Sequence, residues 1–309
     1  MKVLVLGIAG GVGRVVAKQL LERGHEVIGI DARAWPDAPK EIDLHEIDLR
    51  KRGAEDIFRT RRPEVMVHMA TVTSLVMQGE ERHRINLGGT RAAFEHCKHH
   101  GVRHAVFVGR HTFYGAAADS PLFHTEDEPP IGLASFPELI DLVAADLYAA
   151  SAMWRIPEMT TTVLRTVYTL GPSGHGTLAS FLHGARVPTV LGFDPLFHFM
   201  HEDDAARAIV LATEKQVRGV FNVCGPQPLP LSTVIARTGR KAMPLPEMLM
   251  ESMIGRFGLP KLPRGALSHV KYPIVVDGTA FKRALGFEHH IDEAATLASY
   301  QAAFPPPRD

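Results

Sequence analysis

Gly7-Ile8-Ala9-Gly10-Gly11-Val12-Gly13 follows the apolar run of residues 2–6 (KVLVL) and opens residues 12–23, where Val12, Val15, Val16, Leu20 and Leu21 recur close to helical spacing. Gly24 stops that helix as a C-terminal glycine does. Strand, G-x-x-G-x-x-G turn, helix: the glycines let the backbone approach a pyrophosphate, whose charge then rests on the helix N-terminus among unpaired N–H groups. A second strand, residues 26–31 (EVIGID), ends on Asp31, near the offset at which an acidic residue meets the adenosine ribose. Its carboxylate accepts from ribose hydroxyls and repels a 2′-phosphate, which favours NAD over NADP; Arg33, two residues on, weakens that preference. Gly7, Gly10, Gly11, Val12, Gly13 and Asp31 are therefore the first cofactor candidates.

Outward from this unit the same alternation continues. Strands are expected at 41–48, 64–70, 104–109 and 160–165, and helices near 54–59, 81–100 and 138–153, with a Gly/Ala/Ser/Pro-rich loop over 115–137. Repeated βαβ units imply an α/β fold with a doubly wound parallel sheet of the Rossmann type. From residue 166 prolines cluster and segments shorten, which suggests a second, smaller mixed α/β lobe. Its helices are expected at 231–238, 247–257, 279–285 and 292–304 and a strand at 220–223. The division is thus 1–165 for the dinucleotide-binding domain and 166–309 for the smaller substrate lobe, with segments near 201–214 packing back on the first.

In the 309 residues, 34 basic side chains balance 34 acidic ones, so no global field recruits nucleic acid or an anionic membrane. With 45% hydrophobic residues the chain has the apolar content for a large core. No apolar run reaches a membrane span, and the opening MKVLVLGIAG lacks the plan of a secretory signal; a cytoplasmic protein is expected. Cys97 and Cys224, the two cysteines, stand far apart and read as core thiols. Of the 17 histidines, His96, His99, His100 and His104 gather around Cys97, but no further ligand stands at a recognised spacing, so no metal site is expected.

Several further stretches carry a resemblance: Asp48-Leu49-Arg50, His68-Met69-Ala70, Asn86-Leu87-Gly88-Gly89-Thr90, Phe113-Tyr114-Gly115, Leu164-Arg165 followed by Gly171-Pro172, His201-Glu202-Asp203-Asp204 and Phe221-Asn222-Val223. In this order and spacing, with the glycine turn, they make the sequence resemble the extended short-chain dehydrogenase/reductase superfamily, in its NAD-dependent epimerase/dehydratase group typified by UDP-glucose 4-epimerase. The resemblance covers nearly the whole chain. It implies that Asp48 and Leu49 lie at the adenine, Ala70 and Thr71 along the cofactor backbone, and Asn86 close to it.

The same resemblance implies a Tyr general base and an activating Lys in Y-x-x-x-K, and a Ser/Thr on the loop after the fifth strand. A phenol with pKa about 10 is a poor base until a cation stabilises its phenolate. The Ser/Thr position, five before Gly115, holds Arg110. Tyr148-Ala149-Ala150-Ser151-Ala152 looks like the motif without its Lys, yet Tyr148 precedes Arg165 by 17 residues, where the pattern needs an interval in the high twenties. Counting back 27 from Arg165 gives Glu138 for the Tyr and Leu142 for the Lys, with Asp146 at the following acidic position. Since no Lys lies between Lys98 and Lys215, its loss is independent of register. Tyr168 replaces the Asn of R-x-x-N, and Phe197 the Arg that holds a nucleotide diphosphate, which argues against a UDP-sugar.

Arg110, His111, Tyr114 and Glu138 are the titratable catalytic candidates, with His201 a weaker one. The leading reading is an NAD-binding homologue with an altered or lost catalytic tetrad. One alternative is an oxidoreductase or sugar-nucleotide epimerase with a non-standard acid/base set; another is a non-enzymatic NAD-dependent sensor or assembly partner. The expected partner is a small-molecule substrate or ligand, an anionic one among the options, and the reading also allows a homodimer. Arg110 is expected to point into the crevice and to need a carboxylate, Glu138 or the ligand's own.

Overall fold

Runs such as Val3-Leu4-Val5-Leu6 are apolar on both sides of the strand, and in the structure both sides are covered. Val3, Val5, Val65 and Val67 face one core layer, while Leu4, Leu6 and Met66 face the other. In the computed structural model, which describes residues 1–74, 77, 79–134, 136–253 and 263–307, these runs are strands β1 (Lys2–Leu6), β2 (Glu26–Asp31), β3 (Asp43–Glu46), β4 (Val65–His68), β5 (His104–Arg110) and β6 (Thr160–Thr166). Gly219–Val223 joins them as β7, and the sheet runs β3-β2-β1-β4-β5-β6-β7 with every pair parallel. The doubly wound Rossmann expectation holds.

Helix α1 (Gly11–Glu22) covers one face. The other carries α2 (Arg52–Arg61), α4 (Gly89–His100) and α5 (Ile140–Arg155), which supply Phe58, Phe94 and a seam of Ala145, Ala149 and Ala152. The continuous helix expected over 81–100 is broken: α3 (Gly79–His83) passes through a widened π turn, Arg84–Gly88, before α4 begins. The third strand is shorter than the expected 41–48, because Asp48 is drawn into a turn by the backbone and guanidinium of Arg50.

The strand at 220–223, expected in the second lobe, belongs to the main sheet instead. Asn222 pairs with Arg165 and Val223 with Thr166, so this run extends the parallel edge next to β6. Its helix, α6 (Glu202–Lys215), packs Ala205, Ala206 and Ile209 into the layer that holds Val16 and Leu20 of α1. Beyond the sheet, Leu170, Leu178, Phe199, Leu231, Val234, Leu297 and Tyr300 form a separate small core. Around it lie short strand pairs, Tyr168–Leu170 with Phe199–His201 and Arg186–Val190 with Lys241–Leu245, and the helices Leu231–Arg237 and Glu293–Ala303. Of the helix expected at 247–257, residues Glu247–Met253 are helical and 254–257 lie outside the described residues. No helix of the described residues is long and apolar enough to cross a membrane.

Candidate functional site

At the C-terminal edge of β1 the chain turns at Gly7, with φ +82°, a conformation that costs a side chain dearly. A Cβ there would also stand 2.7 Å from the backbone nitrogen of Ala70, so the turn and the loop after β4 touch backbone to backbone. At Gly13 a Cβ would meet the Gly7 carbonyl oxygen at 2.5 Å, and only glycine lets α1 start this close to the turn. Gly10 precedes the helix in extended conformation and offers no side-chain cap. The first N–H groups of α1, at Gly11, Val12 and Gly13, are thereby left to an external anion. Gly11 itself lies against His175, whose Cβ is 2.6 Å from where a Gly11 Cβ would be. A cradle that a methyl group would fill, at a helix start without a cap, fits a dinucleotide pyrophosphate.

Asp31 closes β2 with its carboxylate buried. It accepts the N–H of Ala9 and the N–H of Arg33, each at 2.9 Å, and the Arg33 guanidinium reaches it at 3.3 and 3.4 Å. The cation that tempers a preference for NAD is thus paired with the very residue that creates it. Asp48 is gripped by Arg50, whose guanidinium holds the carboxyl below the usual range, and Leu49 is buried beside it.

Ala70 and Thr71 form the loop immediately after β4. The Ala70 N–H donates to His68 Nδ1 at 3.3 Å, while Thr90 Oγ1 donates to the Asn86 carbonyl and so accepts from His68 Nε2–H at 3.0 Å. These bonds suit a neutral imidazole, and burial pulls the His68 pKa down to about 4. Asn86 sits in the π turn and clamps the loop: its Oδ1 accepts the Val72 N–H at 2.7 Å, and its Nδ2 donates to the Val72 carbonyl and to Asp141. Asp141, on α5, pairs in turn with buried Arg82 at 2.7 Å, and Arg82 also donates to the Glu138 carbonyl. Val72, Asn86, Asp141 and Arg82 therefore tie the β4 loop to the start of α5, the two walls of the crevice. Arg82 and Asp141 carry no motif spacing and were invisible in the sequence.

Between those walls β5 ends at Arg110. The cavity there is narrow, about 10 Å³ or on the order of one water, and its lining includes Thr71, Gly109, Arg110, Phe113, Leu142 and Asp146. Leu142, in the register counted from Arg165, presents an isobutyl group where a lysine ammonium is expected. Arg110 has no ion pair among the described residues, and burial lowers the pKa of its guanidinium despite the nearby Tyr168 phenol. Glu138, the expected partner, is exposed and does not line this cavity.

The other candidates are engaged elsewhere. Tyr114 is fully buried; its hydroxyl donates to Asn222 Oδ1 at 2.7 Å and accepts from Arg165 at 3.0 Å. Arg165 lies over the Phe113 ring and pairs with Asp146 at 2.9 Å, so the acidic position on α5 anchors the β6 arginine. His111 is buried with Nδ1 against the Thr166 carbonyl and its ring edge-on to Tyr168. His201 caps α6 by accepting the Asp203 N–H. Tyr148 turns to the opposite side of α5, where its hydroxyl donates to Glu95 and Arg155 covers its ring. Of the histidines near Cys97, His96 lies against Phe58 and His104 bonds Thr162, and no group of three potential ligands converges among the described residues.

A parallel sheet with a glycine turn after β1, an acidic residue ending β2 and a cleft at the carboxyl ends of β4 and β5 defines a Rossmann-type dinucleotide-binding protein of the extended short-chain dehydrogenase class. The chain belongs to the NAD dependent epimerase/dehydratase family, whose sequence profile matches residues 3–224. A similar protein, uncharacterized, from Mycobacterium tuberculosis (strain H37Rv) is 27% identical over 300 residues, covering 93% of this chain and 79% of its own. A 3-diazoavenalumate denitrifying reductase of a Streptomyces species is 28% identical over 277 residues, covering 83% and 88% of the two chains. Among solved structures, the UDP-glucose 4-epimerase of Thermus thermophilus in complex with NAD aligns with TM-score 0.77 at 22% identity, over 98% of this chain and 99% of that one.

Proposed function

We propose that this protein binds NAD(H) on the glycine turn and holds a small anionic ligand on Arg110 at the nicotinamide end, without the phenol–ammonium relay of sugar-nucleotide epimerases. The observation that carries the reading is that Arg110, which has no ion pair among the described residues, and Leu142 line the same cavity, whose carboxylate, Asp146, is taken by Arg165. The family membership and the NAD named for the Thermus epimerase support the cofactor. When bound, NAD supplies a hydride acceptor or, reduced, a donor. Asp31 would then take the adenosine ribose, the first turn of α1 the pyrophosphate, and Ala70 and Thr71 the stretch between. That one relative is named as a reductase supports a net transfer of hydride to a substrate.

Two measurements test this. Interconversion of UDP-galactose and UDP-glucose is expected to be undetectable; turnover within an order of magnitude of ~10 s⁻¹ would show that another relay operates. Calorimetric titration is expected to give tighter binding of NAD than of NADP, with the gap narrowed in Asp31→Ala, where Arg33 loses its carboxylate. Equal affinities in the wild type would remove the specificity argument. The narrowness of the cavity favours a second reading, a non-enzymatic NAD-dependent sensor, and substrate-dependent oxidation of NADH separates the two.

The outward face of α5 also supports a homodimer. Ile140, Leu147 and Trp154 recur every seven residues and are 56%, 48% and 75% exposed, a stripe suited to packing against its own copy.

A further inference from the structure

The loop after the strand Tyr168–Leu170 returns to the glycine turn and sets one side chain on it. A Cβ built on Gly11 would stand 2.6 Å from His175 Cβ, 2.8 Å from Cγ and 3.2 Å from Nδ1. The imidazole therefore lies at the first turn of α1, whose N–H groups are left to an anion. Its placement is held from several sides. Glycines with positive φ flank the residue, Gly174 at +65° and Gly176 at +106°, and a Cβ on Gly174 would overlap the Phe304 ring. Ser173 Oγ accepts the His175 N–H at 3.3 Å. Ser173 in turn gives its own N–H, at 3.0 Å, and its hydroxyl to the buried carboxylate of Glu202 at the start of α6. The next residue, Asp203, accepts on its carbonyl from Gln19 of α1 at 3.3 Å. The loop and the helix it touches are thus tied to the same turn of α6.

The ring's own hydrogen bonding leaves one atom open. Nδ1 is 2.8 Å from the Ser173 carbonyl oxygen, which only accepts, so Nδ1 carries the proton. Nε2 has no partner among the described residues, and the side chain is exposed. The guanidiniums around the turn are engaged. Arg33, whose Nη2 is 3.5 Å from where a Gly10 Cβ would be, holds Asp31, and Arg14 donates to the Ala9 carbonyl at 3.0 Å and lies over the Trp35 ring. The carboxylates are engaged as well, Asp31 by Arg33 and Glu202 by Ser173, while Asp203 stands against His201. His175 is thus the side chain at this turn with a nitrogen to offer.

We propose that His175 is a cofactor-binding residue, whose Nε2 takes up a proton and donates it in a hydrogen bond to a pyrophosphate oxygen of NAD. The inference rests on the seating of the pyrophosphate on the glycine turn and adds the side chain that closes on it. The proton follows from the tautomer. With Nδ1–H committed to the Ser173 carbonyl, a neutral ring presents only a lone pair at Nε2, and donation there requires the imidazolium. One proton therefore passes from solvent to Nε2 as NAD binds, and the bond formed is charge-assisted on both sides. Affinity should rise as pH falls through the range in which imidazoles titrate. The other charged groups at the turn, Arg14, Arg33, Asp31, Asp203 and Glu202, are guanidiniums and carboxylates, classes that ordinarily titrate outside about pH 6 to 8.5.

The test is calorimetric titration of the protein with NAD and with ADP-ribose from about pH 6 to 8.5, repeated in buffers of different ionisation enthalpy to count protons. NAD is expected to bind with net proton uptake and about tenfold more tightly at the acid end of that range. His175→Phe, which keeps a ring against Gly11, should cost about tenfold in affinity at the acid end, for ADP-ribose as for NAD, and should remove both the uptake and the pH dependence. His175→Gln, a donor with no proton to gain, should keep part of the affinity with a flat profile. Thermal unfolding of each variant checks that it is folded. Proton uptake that is absent or survives His175→Phe overturns the inference, as does a loss on NAD that ADP-ribose does not share. Tighter binding by His175→Phe also overturns it, since the ring would then obstruct the seat. If NAD binds and ignores both His175 variants, the clamp falls and the glycine-turn seat stands; if Gly7→Ala binds NAD as wild type does, the seat itself falls.

Discussion

Gly7 holds φ at +82° with the Ala70 backbone against it, so two independent constraints forbid a side chain there. Gly7→Ala is expected to destabilise the protein by about 1–3 kcal/mol and to abolish NAD binding, because relief of the clash must part the turn from the β4 loop. Urea unfolding and NAD titration check this; a variant with wild-type stability and affinity would contradict it. This glycine was legible in the sequence because the demand for it is local, made by a strand, a turn and a helix within a dozen residues. Arg82 and Asp141 were not. They lie 59 positions apart and form one buried ion pair, and no spacing rule reaches that far.

Among the elements, the π turn between α3 and α4 is the one whose shape bears most directly on the crevice. The run of residues 81–100 reads as one helix, yet the widened turn brings the Asn86 amide onto the Val72 N–H and carbonyl while keeping Asp141 in reach. Asn86→Ala leaves two partly buried backbone groups and a buried carboxylate oxygen without that partner. A loss of about 2–3 kcal/mol is expected, with faster hydrogen exchange at Val72 than at β4. Unchanged exchange there would mean that the clamp does not hold the loop. The strand Gly219–Val223 teaches a related lesson. Its apolar run was recognised, but its sheet was not, because strand character is set by the residues themselves whereas the partner is chosen by the register that Arg165 and Thr166 offer.

For the molecule as a whole, His68, His104 and His198, which are buried, and His269, which is half-buried, are held near pKa 4, against about 6.5 in the unfolded chain. Below about pH 6.5 the unfolded state binds protons that the folded state refuses, so stability falls as pH drops through that value and the loss levels off near pH 4. Unfolding free energies measured across this window check the sign; a flat profile would mean that these rings find solvent. At the same scale, Trp154→Ser on the α5 stripe is expected to shift a dimer to monomer in sedimentation velocity while leaving NAD affinity unchanged. A wild type that is monomeric at all concentrations would dispose of the interface.

What the sequence alone determined is whatever short-range geometry dictates: alternating strands and helices, the glycine turn with Asp31, and a span from Lys98 to Lys215 in which no lysine can activate a phenol. Only the tertiary structure decided which charged groups meet. It set Glu138 in solvent, committed Tyr114 to Arg165 and Asn222, left Arg110 with no ion pair among the described residues, and gathered His111, Tyr168, Phe197 and His269 around one space. The reason is physical: backbone conformation and periodic burial are settled among near neighbours in the chain, whereas the pairing of buried charges and the lining of a cavity depend on side chains that come together only when separate layers pack.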